Sequence, residues 1–335
     1  MTLFSFQQKF YSSRRFIFAV SLLLLAVLVS ACGTEKAPTN AGAPSSSTEE
    51  TTPETAVPEA AKFKTVSTVK GDIEIPVHPK RIVAEEYLGS LIALDVIPVG
   101  SPGVTIENYY FKEALAGVAD TGVYGEPSAE NIISLSPDLI ITANGDSYEQ
   151  LRKIAPTIVI PYGELKNVHA ELTYFGDLFG KEDVAKSWLA EYDRRIAEAK
   201  AKVDKAIPAG ATFSIMEYSD KTTWVYGDNF GRGGQPIYQS LGRKPPVDVA
   251  DEIMKKQWAE IPSETLSKYA GDYIILTSND RTLEYFQNDP IWGNLPAVKN
   301  GHIYIWPEER SWYFDPIAVL AQSEELTEWL VNQGK

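Results

Sequence analysis

The sequence predicts an α/β protein of two similar lobes joined by one long helix, and three observations carry that reading. Short apolar runs of strand length alternate with helical patterns through most of the chain. A helix–turn–strand unit, "AENIISLSPDLII" at 129–141, returns as "SETLSKYAGDYII" at 263–275, a constant displacement of 134 residues. Between the copies lies "GKEDVAKSWLAEYDRRIAEAKAKVDKAIPAG" (180–210), which has no Gly or Pro from Lys181 to Ile207. Strand–helix alternation argues for mostly parallel sheets covered on both faces.

The first 31 residues carry Lys9, Arg14 and Arg15 with no acid, then an apolar run from Phe16 to Val29. That run is shorter than the roughly 20 residues a membrane span needs and suits the core of a signal peptide. It ends in "VSACG", where Cys32 is the only cysteine of the chain. The arrangement resembles the bacterial lipoprotein signal, which implies that Cys32 is lipidated and becomes the new N-terminus. It also leaves the exported domain without a disulfide.

Residues 32–62 are read as the lipidated cysteine and a tether rich in Thr, Ser, Pro, Ala and Glu, with no aromatic residue. Such a composition cannot bury enough apolar surface to offset chain entropy and predicts disorder. The formal charge is −14, and −17 once the three signal-peptide cations are removed. That balance disfavours nucleic acid and anionic membrane as partners and makes the lipid the membrane contact.

Periodic apolar sequence starts at Phe63 and divides into an N-terminal α/β lobe (63–180), the linking helix (181–207) and a C-terminal α/β lobe (208–335). Strands are expected at "RIVAEE" (81–86), "VIPVG" (96–100), "DLIITA" (138–143) and "TIVIPY" (157–162) in the first lobe. The second offers "ATFSIMEY" (211–218), "DYIILTS" (272–278) and "HIYIW" (302–306). In the link, Ala185, Trp188, Leu189, Tyr192, Ile196, Ala199 and Val203 follow the helical period. Some twenty helical residues span roughly 30 Å, a stiff joint rather than a flexible hinge.

The signal, the tether, "HPKRIVAEEYLGSLIALDVIPVG", "ENIISLSPDLII", the linking helix and "WGNLPAVKNGHIYIW", in that order, resemble the iron-siderophore substrate-binding lipoproteins of ABC importers. The resemblance covers essentially all of 63–335. It implies two Rossmann-like lobes with the ligand held in the cleft between them.

Within the second lobe, "WVYGDNFGRGGQPIYQSLG" (224–242) surrounds one arginine, Arg232, with glycines and rings. It resembles the ferric-hydroxamate branch of that family. A guanidinium offers a planar fork of donors to the electron-rich oxygens of a ferric trishydroxamate without competing for the metal. Neighbouring glycines let the backbone come close to a ligand, and rings supply apolar area with few rotors to freeze. A plain surface turn in which Arg232 pairs with Asp228 is the alternative. A phosphate loop is excluded because no Lys-Ser/Thr follows.

Carried over residue by residue, the resemblance places Arg232, Tyr313, Trp224, Phe230 and Tyr162 in the cleft; Phe230 stands where the family has tryptophan. Tyr87, Tyr109 and Tyr110 are rim positions left outside that set. Glu130 and Glu264, matched in the repeat, are implied to dock on arginines of the permease. Their place in a first helical turn also suits the helix dipole.

His78, His169 and His302 show no ligand or triad spacing, and no thiol nucleophile is left, so neither an enzyme nor a bare-metal binder is expected. No resident cofactor is implied; the ligand is an Fe(III)-siderophore complex. Catecholate or citrate chelates, or haem, on the same fold are the nearer alternatives, and a surface hydrolase or adhesion module the more distant one. The expected partners are the permease with its cytoplasmic ATPase and the membrane through Cys32. The expected state is a monomer on the extracytoplasmic face, the long tether suggesting a Gram-positive surface.

Overall fold

The computed structural model describes residues 62–334. The signal peptide, Cys32 and nearly all of the tether lie outside the described residues. No helix among the described residues is long and apolar enough to cross a membrane.

An antiparallel hairpin, Phe63–Thr68 with Gly71–Pro76, opens the described chain. The first lobe is a five-stranded, all-parallel sheet. Its order is Ala119–Asp120, Gly100–Ser101, Ile82–Ala84, Leu139–Thr142, Thr157–Val159. Ile82, Val83, Ala84 and Leu139 to Ile141 are all buried, as a sheet covered on both faces requires. The expected strand at 96–100 is only Gly100–Ser101. Pro98 has no N–H to give a ladder, which confines pairing to the residues after it.

The second sheet runs Trp258–Ile261, Thr222–Tyr226, Phe213–Ser219, Tyr273–Thr277, Ile303–Trp306. The last three are parallel and repeat the first lobe's plan. The first two are antiparallel additions. Asp220 and Lys221, with φ of 50° and 65°, close the hairpin between Phe213–Ser219 and Thr222–Tyr226. Paired left-handed residues of that kind match the twist of the flanking strands.

The sequence repeat is a structural one. Strand Leu139–Thr142 meets its neighbour with Ile82 opposite Leu139, and Tyr273–Thr277 does so with Phe213 opposite Tyr273. The aspartate before each strand performs the same task. Asp138 accepts from the Lys80 and Arg81 amides at 2.8 and 2.9 Å. Asp272 accepts from the Thr212 amide and hydroxyl at 2.7 and 2.9 Å. Each carboxylate thereby satisfies donors where the neighbouring strand begins.

The linking helix is Glu182–Ala206, with Glu182 and Asp183 in its first turn and Lys205 in its last, complementing its dipole. Its 25 residues reach about 37 Å. Ala185 and Tyr192 enter the first lobe's core; Ala199 and Val203 enter the second's. The C-terminal helix, Pro316–Gln333, does the same in parallel, with Val319 and Leu320 in the first core and Leu326 and Leu330 in the second. Arg195 donates twice to Glu324, at 2.7 and 2.5 Å, tying the two helices together. The segment 208–335 thus visits the first lobe at the start of its last helix and ends in the second, and the joint is a pair of helices.

Candidate ligand-binding cleft

The turn that carries Arg232 has three consecutive left-handed residues: Gly231 at φ 73°, Arg232 at 58° and Gly233 at 94°. The glycines face protein. A Cβ on Gly231 would lie 2.3 Å from the Trp312 carbonyl oxygen, and one on Gly234 would lie 2.0 Å from that of Gly227. Gly231 lets the turn sit directly on the segment 311–314, where the Arg232 amide donates to the Ser311 carbonyl, and Gly234 lets it close on Gly227.

The guanidinium is fixed by four contacts. Its Nε donates to Glu217 Oε2 at 2.8 Å, and Glu217 also accepts the Tyr226 hydroxyl at 2.7 Å. The cation lies over the rings of Trp312 at 4.6 Å, Tyr226 at 4.7 Å and Phe230 at 5.8 Å. Arg232 therefore pairs with buried Glu217, on the neighbouring strand, and not with Asp228, whose carboxylate accepts from Gln257. Held this way, the Nη side of the guanidinium makes one described bond, a long one of 3.4 Å from Nη1 to the Phe230 carbonyl, so its donors are lightly used.

Of the rings expected here, Phe230 is stacked on Tyr226 and Trp258. Trp224 is on the same strand as Tyr226 but packs against the second core, and it is not among the rings that contact Arg232. The strand has two rings on one face, and the one nearer the turn, Tyr226, is the one that reaches the cation. Tyr313 stands edge-on to Tyr110 of the first lobe at 6.4 Å, and Tyr110 donates to the Arg310 carbonyl at 2.6 Å. Tyr109 lies under Arg310 at 5.2 Å, whereas Tyr87 is spent on packing, its hydroxyl donating to Ile160.

Tyr162 stands across from Phe230. Both line a groove of about 510 Å³, walled by Tyr162, Gly163 and Lys166 of the first lobe and by Phe230, Met254 and Trp258 of the second. Arg232 and Tyr313 are not in that groove's wall; Phe230 and the neighbouring 312–314 segment connect the two. The Tyr162 ring meets Phe314 at 6.3 Å, and its hydroxyl donates to Glu86. Burial pushes the Glu86 carboxyl up to about 7, against the pull of that hydrogen bond. Asp315, which caps the C-terminal helix through the Ile317 and Ala318 amides, is pushed up to about 6 by burial.

Tyr226, Trp312, Trp258 and Glu217 are the neighbours that sequence reasoning missed. Trp312 had a signal, being adjacent to Tyr313 in "SWYFDP". Glu217 sits inside a strand run with nothing to mark it. Glu130 and Glu264 are both exposed, in the first turns of Ala129–Ser134 and Ser263–Thr265, with no ion pair among the described residues. His169 pairs with Asp193 of the linking helix, and His302 stacks on Tyr273 at 4.4 Å. No group of three metal-ligating side chains occurs among the described residues.

Two similar lobes on a stiff joint, with a ring-lined groove between them and one oriented cation behind its Phe230 wall, define a substrate-binding protein rather than an enzyme. The periplasmic binding protein family matches residues 82–310, and the chain belongs to that family. It is 36% identical to the iron(3+)-hydroxamate-binding protein YxeB of Bacillus subtilis over 94% of this chain and 96% of the relative. It is 37% identical to FhuD of the same organism, likewise an iron(3+)-hydroxamate-binding protein, over 81% and 88%. Among solved structures, FhuD2 of Staphylococcus aureus with bound ferrioxamine B is similar at a TM-score of 0.70 and 32% identity, covering 77% of this chain and all of that one.

Proposed function

We propose that the protein captures a ferric hydroxamate siderophore in the cleft around Arg232 and passes it to an ABC importer for iron uptake. The observation that carries this reading is the guanidinium clamped between Trp312 and Tyr226, its Nε held by Glu217. A pre-oriented fork of donors among rings suits a compact chelate with oxygens on an apolar scaffold, because little side-chain entropy remains to be lost. Both Bacillus relatives bind iron(3+) hydroxamates by name. Tyr313 and Tyr162 supply contact from the two sides, and Phe230 gives the ring of the family's tryptophan without its indole donor.

Delivery follows from the same plan. Glu130 and Glu264, exposed on equivalent helices of the two lobes, present matched carboxylates to a permease of two-fold or pseudo-two-fold symmetry. Such exposed pairs contribute register and on-rate more than affinity. The lipid on Cys32 holds the protein at the extracytoplasmic face of the membrane.

Tryptophan fluorescence during titration tests the ligand, since Trp258 and Trp312 are about half exposed at the site. Ferrioxamine B and ferrichrome should quench saturably at sub-micromolar concentration, and Arg232→Ala should weaken both at least ten-fold. Tight binding of haemin or ferric enterobactin alone would overturn the ligand class and leave the fold standing.

A further inference from the structure

We infer that Glu217 makes the cleft a charge filter, so that it accepts neutral or cationic ferric chelates and turns away polyanionic ones. The inference rests on the ferric-siderophore reading above and concerns which members of that class are admitted.

Arg232 is the cation at the centre of the site, and it does not act alone. The Glu217 side chain is 8% exposed and the Arg232 side chain 15%, so their pair is shielded from solvent and weakly screened. Together they sum to zero charge while leaving guanidinium N–H groups as donors. Glu217 thus removes the attraction for an anion without removing the hydrogen bonds. A neutral trishydroxamate needs only those bonds, whereas a trianionic catecholate or a citrate chelate needs net positive charge to offset its desolvation.

The surroundings do not restore that charge. Half-buried Glu308 lies within electrostatic reach of both partners; its carboxyl is raised by burial, against a hydrogen bond with Asn279, and Glu217 raises it further while Arg232 opposes. Arg310, on the same segment as Trp312, is tied to Glu325. Three lysines, Lys166, Lys255 and Lys256, rim the outer groove, but all are exposed, and Lys256 pairs with Glu252 at 2.8 Å. Solvent and salt screen such charges far more than the buried pair.

Glu217 acts through Arg232, as a positioning residue, and the test must separate charge from structure. Wild type and Glu217→Gln are titrated with ferrioxamine B, ferrichrome, ferric enterobactin and ferric citrate at 20 and 300 mM salt. Glutamine keeps an acceptor for Nε but not the charge. The affinity for the anionic chelates relative to ferrichrome should rise at least ten-fold in the variant, and the gain should shrink at high salt. Ferrioxamine B, with its cationic amine arm, should lose ground relative to ferrichrome.

An equal loss for all four chelates, or no change in their ratio, overturns the proposal. Glu308→Gln reads the same ratio without breaking the Arg232 pair, and should shift it the same way by a smaller factor. If it does not, and Glu217→Gln does not fold, the charge filter is rejected. Failure of every chelate to bind wild type strikes the underlying function, not the filter, so the two failures are distinguishable.

Discussion

The two lobes are built on one unit and differ in what is added to it. Both have a helix, a turn, an aspartate that anchors the adjacent strand, and a buried parallel strand. Only the second carries an antiparallel extension, Thr222–Tyr226 and Trp258–Ile261, with the left-handed turn at 231–233 after the first of these strands. Tyr226, Phe230, Arg232 and Trp258 all belong to that extension or its loops, and Glu217 lies on the strand it pairs with. The shared unit supplies the buried core, and the addition supplies the turn that holds Arg232.

The largest effect should come from the turn. At Gly231→Ala the new Cβ meets a main-chain oxygen at 2.3 Å and must also adopt φ 73°. Left-handed strain and overpacking together should cost about 3 kcal/mol, and ligand binding should be lost with the displaced Arg232. Gly180→Ala is the matched control in the first lobe, at φ 63° with nothing within 4 Å of the new Cβ. It should cost only about 1 kcal/mol and leave binding intact. Thermal melts with parallel titrations read both, and equal binding by the two variants would break the comparison.

Next come the anchors. Asp138→Ala strands the Lys80 and Arg81 amides, and Asp272→Ala strands the amide and hydroxyl of Thr212. Each should cost about 2 kcal/mol, as hydrogen bonds to a charged group do. Denaturant melts should show the two losses alike, with chelate affinity unchanged within about two-fold. A binding defect in either would show that the shared unit reaches the site.

The first lobe also holds carboxyls that the second does not match. Glu171, buried and accepting from Ser90 at 2.5 Å, is pushed up to about 8 by burial, and Glu86 to about 7. A carboxyl whose folded pKa exceeds its unfolded value binds its proton more tightly in the native state. Stability is therefore lost as pH rises from about 4.5 towards about 8. The melting temperature should fall by several degrees between pH 5 and pH 8, a loss on the order of 2 kcal/mol. Glu171→Gln should flatten that slope, and an unchanged slope would assign the pH dependence elsewhere.

How much of this was legible follows the same division. The linking helix, the buried parallel strands and the repeat could be read because their residues obey a period or recur. Arg232 could be read because its setting of Gly and rings is unusual. The antiparallel strand Trp258–Ile261 could not, being four residues of which only Ile261 is buried, too short a run to announce itself. Glu217 hides for a different reason: a buried acid inside a strand has no local signature, and its partner is fifteen residues away across a hairpin. Spacing along a strand does not say which of two rings on one face, Trp224 or Tyr226, covers Arg232. The second bridging helix escaped because its period names one buried face, not the two cores it serves.

The smallest effect should be at Trp312, the exposed member of the clamp. Its ring covers Arg232 at 4.6 Å, 42% exposed, while Tyr226 covers it at 4.7 Å from within the core. A cation–ring contact at an exposed site contributes about 0.5–1 kcal/mol, and phenylalanine keeps part of it. Trp312→Phe should therefore weaken ferrichrome binding by only about two- to five-fold, with no change in melting temperature. Tyr226→Phe should cost stability instead, because its hydroxyl is a donor to buried Glu217. If Trp312→Phe weakens binding as much as Arg232→Ala does, the indole touches the chelate itself. The exposed ring would then be a direct contact, and the clamp around the cation would be Tyr226 and Phe230 alone.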